Sequence, residues 1–137
     1  VGLHGLRTFE GVLAGRQAHA ERLRIWLASR CGGAFVPQYV DYEMRPNGQN
    51  VGVRCLAART VGLAEVIAEF ARHGVEARRY FHPPLHDLDA WRGRYDLPVT
   101  QALAAELLCL PIHSRMREED IRRVEQAALA VSRRFAP

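Results

Sequence analysis

The chain contains no lysine: all 19 of its cationic side chains are arginines. A guanidinium stays protonated and does not condense with carbonyls, so Schiff-base chemistry and a lysine-bearing phosphate loop are excluded for this chain acting alone. Cysteine is scarce, and the three residues Cys31, Cys55 and Cys109 are too widely spaced for a disulfide framework or a zinc site. Cys55 and Cys109 sit in apolar runs and are expected in the core as reduced thiols. No apolar run approaches the roughly 18 to 20 residues that span a bilayer, no signal-peptide pattern opens the chain, and low-complexity tracts are missing. The default expectation is a globular, cytoplasmic protein.

What is present suits one domain. The 137 residues are 48% hydrophobic and 25% charged, the balance of a chain that buries a single sizeable core. A net charge of +4 permits attraction to anions. The arginines interleave with 15 acids along the whole length, which describes a solvated surface. No recognition-helix motif accompanies them, and this argues against a nucleic-acid binder. The chain begins at Val1 and enters a helical pattern almost at once, which suggests a piece of something longer.

Periodicity predicts a helix from Thr8 to Ser29, with Thr8 and Glu10 at its start and Cys31-Gly32-Gly33 as its stop. Phe35 to Met44 and Val51 to Ala57 read as neighbouring strands around the turn signal Arg45-Pro46-Asn47-Gly48. Thr60 is expected to cap a helix over Val61 to Arg72 that ends at His73-Gly74, and Val75 to Phe81 returns as a strand. Two prolines make Phe81-His82-Pro83-Pro84-Leu85-His86 a rigid turn. A short helix over Val99 to Leu108 follows, then a last one from Glu118 to Arg134 with Ile121, Val124, Ala128, Val131 and Phe135 as its buried stripe. The expected class is α/β (α+β), a small mixed sheet with helices packed on it.

Three constellations invite a chemical reading. His82 and His86 have the spacing of helical metal ligands, but the prolines between them deny the helix, so no metal site is expected. Ser114 beside His113, with Asp87 and Asp89 elsewhere, supplies the residue types of a hydrolase triad without the glycines of a nucleophile elbow; a turn residue is the better reading. Arg78-Arg79-Tyr80-Phe81 places cations next to aromatics at a strand end, suited to a phosphate, base or sugar. Strand alternation sets Arg78 and Tyr80 on the side opposite Arg79 and Phe81, and a core Phe81 with two solvated arginines accounts for the pattern equally well.

The run from Gly74 to His86, with Leu97-Pro98-Val99-Thr100, Leu110-Pro111-Ile112-His113-Ser114 and Met116 to Val124, resembles the C-terminal part of the DegT/StrS-type sugar aminotransferases. The likeness is specific from about Gly74 to Val131 and looser from Thr8 to Ala57. It implies the small C-terminal domain of the aspartate aminotransferase-like fold (pyridoxal phosphate fold type I). Residues 1–33 would be the helix linking it to a large domain, and residues 34–137 the small domain itself. It further implies pyridoxal phosphate as cofactor, a nucleotide-linked keto sugar and an amino donor as substrates, and a homodimer or large-domain partner. The cofactor lysine would belong to the large domain, so no catalytic residue is assigned here and the chain alone should be inactive.

By the same resemblance, Arg79, Tyr80 and His86 would face the sugar nucleotide, with His82 where the family often has tyrosine. His4 and Arg7 would lie near the neighbouring subunit's cofactor phosphate. The alternative is a free-standing relic that binds a partner aminotransferase or a nucleotide sugar without catalysis. Burial of Trp26 within the chain would favour the relic, and an exposed apolar side from Thr8 to Ser29, including Trp26, would favour the domain.

Overall fold

The computed structural model describes residues 2–44 and 46–135, apart from the side chains of His4 and Tyr42. Helix α1 (Gly2–Arg30) leads through a turn to strand β1 (Phe35–Pro37) and on to β2 (Val51–Cys55). Helices α2 (Ala58–Val61) and α3 (Leu63–Arg72), strand β3 (Arg78–Arg79), helix α4 (Pro98–Glu106), strand β4 (Leu107–Leu110) and helix α5 (Glu118–Arg134) complete the chain. The sheet order is β1-β2-β4-β3. Every pair is antiparallel, where a mixed sheet was expected.

Alternation along the strands sorts their side chains onto two faces. Phe35 pairs with Cys55, Val53 with Leu108 and Val51 with Leu110, and these residues point into the core. Helices α1, α3 and α5 cover that face. Leu23 and Leu27 of α1, Phe70 of α3 and Val131 of α5 are fully buried there, each stabilising the fold by roughly 1.5–3 kcal/mol. The α5 stripe is the expected one, with Ile121, Val124, Ala128 and Val131 buried and Phe135 packed against the core. Cys31, Cys55 and Cys109 are free and buried, and burial pushes the Cys31 thiol up to about 11.

Charge reinforces the contact between α1 and α5. Arg22 donates to both carboxylate oxygens of Glu118 and, at 3.0 Å, to Glu125 Oε1. Hydrogen bonds from Arg22 and Arg122 hold the Glu118 carboxyl down at about 2. Gly32 and Gly33, at φ +55° and +80°, end α1 where the sequence placed its stop.

Several boundaries depart from expectation. α1 starts at Gly2, so Thr8 lies inside the helix, where its hydroxyl donates to Gly5 O at 3.2 Å. Thr60 lies within α2 rather than capping α3, because Gly62 at φ +82° breaks the chain into two helices. The strand expected over Val75 to Phe81 is reduced to Arg78–Arg79. The fourth helix stops at Glu106, and Leu107 and Leu108 open β4, the strand between β2 and β3.

Candidate functional site

The sheet face opposite the core carries Val36 of β1, Gly52 and Arg54 of β2, and Leu107 and Cys109 of β4. Helices do not cover it as they cover the core face. A groove of about 720 Å³ runs over it, walled by Gln38, Asn47, Gln49 and Asn50 on one side and by Tyr80 and Phe81 on another. That volume suits a ligand of nucleotide size.

The amide-bearing wall is fixed from behind. Gly48 is buried against α1, where an added Cβ would stand 2.9 Å from Arg16 Cβ, and its φ of +58° is one that side chains resist. One residue-pair away, Gln17 Nε2 donates to Pro46 O at 2.7 Å. The loop that carries Asn47, Gln49 and Asn50 is thereby seated on the middle of α1.

The sequence pattern placed Arg79 and Tyr80 on opposite sides of their strand, and the structure does so. Tyr80 lines the sheet-face groove, whereas Arg79 lines a second depression of about 390 Å³ with His82, Pro84, Asp87 and Gln101. Arg79 Nη1 lies 2.8 Å from His82 Nε2. Phe81 breaks the alternation: its φ of +49° turns it to the groove beside Tyr80, ring centroids 4.2 Å apart, and at 78% exposure it is not a core residue. His86 lies in a short 3-10 turn, buried, and lines neither depression. Its Nε2 has no hydrogen-bond partner among the described residues and stands 3.7 Å from Asp87 Oδ1. The three residues expected to share a substrate are therefore divided among two depressions and a buried turn.

Arg7 is exposed on the first part of α1, and the His4 side chain lies outside the described residues. His82 and His86 diverge, one exposed and one buried, and among the described residues no three metal-ligating side chains cluster. Ser114 packs beside Gly15 of α1 as a turn residue.

Sequence reasoning missed a charge cluster that reaches the groove through Arg54. Glu106, at the end of α4, is buried. Its Oε2 accepts from Arg54 Nε at 3.0 Å and Nη2 at 2.9 Å, and its Oε1 from Arg59 Nε at 2.6 Å. Burial raises the Glu106 pKa, but the hydrogen bonds from Arg59 and Arg54 outweigh it and hold the carboxyl below its ordinary range. The available signal was Arg54 itself, a cation inside the apolar run Val51 to Ala57.

Comparison with known structures places this architecture among aminotransferases. Over 99% of its length the chain superposes on the aminotransferase TlmJ from Streptoalloteichus hindustanus with a TM-score of 0.83 and 21% identity, spanning 36% of that chain. DesI, solved in the presence of its TDP-sugar product, gives a TM-score of 0.80 and 30% identity over 98% of this chain and 35% of its own. The family model of the DegT/DnrJ/EryC1/StrS aminotransferases matches residues 1–128, and the chain belongs to that family. Among curated proteins, Rv3402c from Mycobacterium tuberculosis is 31% identical over 93 residues, 57% of this chain and 21% of that protein. The chain thus spans about a third of the solved relatives and about a fifth of this curated one.

The donor set does not by itself fit the cofactor that the family implies. Pyridoxal phosphate is attached through a lysine amine, and none of the 19 cationic side chains is a lysine. No reaction step is assigned to the chain alone.

Proposed function

We propose that this chain is the small C-terminal domain of a pyridoxal phosphate-dependent nucleotide-sugar aminotransferase, acting in the cytoplasm in amino-sugar biosynthesis. It contributes substrate-binding and dimer surface, and the large domain supplies the lysine and most of the cofactor site. The observation that carries this reading is the coverage: nearly the whole chain superposes on only 36% of TlmJ. In this role Tyr80 stacks on or hydrogen-bonds the sugar nucleotide, and Arg79 receives an anionic group of it through charge-assisted hydrogen bonds. His86, buried in the turn, supports that segment from beneath. By the family resemblance, His4 and Arg7 are assigned to the cofactor phosphate of a neighbouring subunit.

The long helix bears on the relic alternative in both directions. Trp26 packs against the core of its own chain, as an independent unit would have it. Leu3, Leu6 and Phe9 at the other end of α1 are 79%, 68% and 49% exposed, an apolar side that a neighbouring domain or subunit would cover. The decisive experiment is the size of the native gene product on a denaturing gel of host lysate. A band of roughly three times this chain's mass, followed by glutamate-dependent amination of a nucleotide-linked keto sugar that Tyr80→Ala impairs, supports the domain reading. A band near 15.4 kDa overturns it in favour of the relic.

A further inference from the structure

We propose that Arg54 is an oxyanion-binding residue of the sheet-face groove, with Glu106 as its positioning residue. This deepens the substrate-surface reading above and rests on it for the identity of the ligand. Arg54 is the penultimate residue of β2, flanked on its face by the register partners Val36 and Leu107. Neither apolar neighbour accounts for a cation there.

A guanidinium has two donor forks, a side edge of Nε with one Nη and an end edge of both Nη atoms. Glu106 occupies the side edge, since Nε and Nη2 both donate to its Oε2. The remaining Nη1 has no partner among the described residues, which leaves the end fork open for a ligand. That fork matches the two oxygens of a carboxylate or a phosphate.

The charge balance favours an anion as well. Glu106 is shared by Arg54 and Arg59, so the cluster carries a formal charge of +1. Among the described residues, no acidic side chain lines the groove and Arg54 is its one cation. The neighbouring donors are neutral amides, Gln38, Asn47, Gln49 and Asn50, which add hydrogen bonds to oxygen without adding charge. Gly52 leaves the floor open: a Cβ there would stand 3.1 Å from Gln38 Oε1. Being 95% buried, the Glu106 side chain holds the guanidinium in one orientation before any ligand arrives.

Two sources supply such an oxyanion, the diphosphate of a nucleotide-linked sugar and the carboxylate of an amino donor. The test titrates the nitrogen-15-labelled 137-residue chain with inorganic pyrophosphate and, separately, with L-glutamate, following the Arg54 Nε–Hε resonance. We expect one of the two to shift that resonance saturably. Arg54→Gln should then lower its affinity about tenfold or more, Glu106→Gln by a smaller factor, and Arg122→Gln on α5 by less than about twofold.

A shift with pyrophosphate alone assigns the phosphate source, and one with glutamate alone the carboxylate source. The resonance is read in the unsubstituted chain, so misfolding of a variant does not blunt the result. An Arg54 resonance that neither anion moves overturns the proposal, as does unchanged affinity in Arg54→Gln. If pyrophosphate binding is instead lost in Arg79→Gln alone, this proposal fails while the substrate-domain reading stands. A native product of 15.4 kDa would remove that reading and leave anion binding at Arg54 to stand or fall on the titration.

Discussion

The two faces of the sheet are built from the same strands but obey different rules. On the covered face, Val51, Val53, Leu108 and Leu110 are wholly excluded from solvent, and no polar group interrupts them. One residue along each strand, the open face holds Gly52, Arg54, Leu107 and Cys109, a mixture with no stripe and an embedded cation. Nothing in packing explains that mixture, whereas packing explains all of the covered face. On the proposed reading, stability and recognition are separated by the side of this small sheet on which a residue falls, and neighbouring positions should respond to substitution in opposite ways.

The sharpest test of that contrast compares consecutive residues. Leu108→Ala, on the covered face, should cost about 2–5 kcal/mol in a denaturant titration, while Leu107→Ala, on the open face, should cost about 1 kcal/mol or less. Equal losses would break the distinction.

Next in size comes Gly48, which belongs to the open face through the loop it anchors and to the covered side through its contact with α1. Gly48→Ala should destabilise by about 1–3 kcal/mol, since the methyl meets Arg16 and the φ of +58° is unfavourable. Its signature would be resonance changes at both Asn47 and Arg16. Changes confined to one of them would show that the loop and the helix are not mechanically joined.

Acid should loosen the covered side through the Arg22–Glu118 contact. The Glu118 carboxyl lies at about 2 in the folded protein against an ordinary 4.5, so its contribution is fully present above about pH 5 and is lost as the pH falls toward 2. Urea midpoints measured across that window should decline less steeply in Glu118→Gln than in the parent. Identical slopes would remove Glu118 from the account.

The smallest effect on stability is expected at Tyr80, where Ala should change the unfolding free energy by about 0.5 kcal/mol or less, as at an ordinary surface site. Ligand affinity at the groove should nonetheless fall. A loss of stability as large as that for Leu108→Ala would make Tyr80 a packing residue.

The covered face was largely legible in the sequence, because helical periodicity and glycine stops mark α1, α3 and α5 directly. The strand β4 was not, since Leu107–Leu110 follows α4 without a turn and a short apolar run has the same pattern in helix and strand. The first two turns of α1 were missed for a related reason: Gly2 and Gly5 lower helix propensity, and Thr8 offered a plausible cap. On the open face, alternation separated Arg79 from Tyr80 correctly, and failed at Phe81, where the backbone leaves the extended region. The Arg54–Glu106 pair joins positions 52 apart in the chain, and nothing local to either residue announces the other.

Helix α1 has a second property that follows from where the 46–50 loop rests on it. From the seat of that loop at Gln17 back to Gly2 the helix extends about 22 Å as a rod. Were the helix to pivot at that seat, the rod would act as a lever with its fulcrum beside the groove. A tilt of about 5° at the fulcrum carries the far end through about 2 Å. Run in reverse, a displacement of that size applied at Leu3 or Leu6 is geared down to a few tenths of an ångström at the loop bearing Asn47, Gln49 and Asn50, a change on the scale that separates a good hydrogen bond from a poor one.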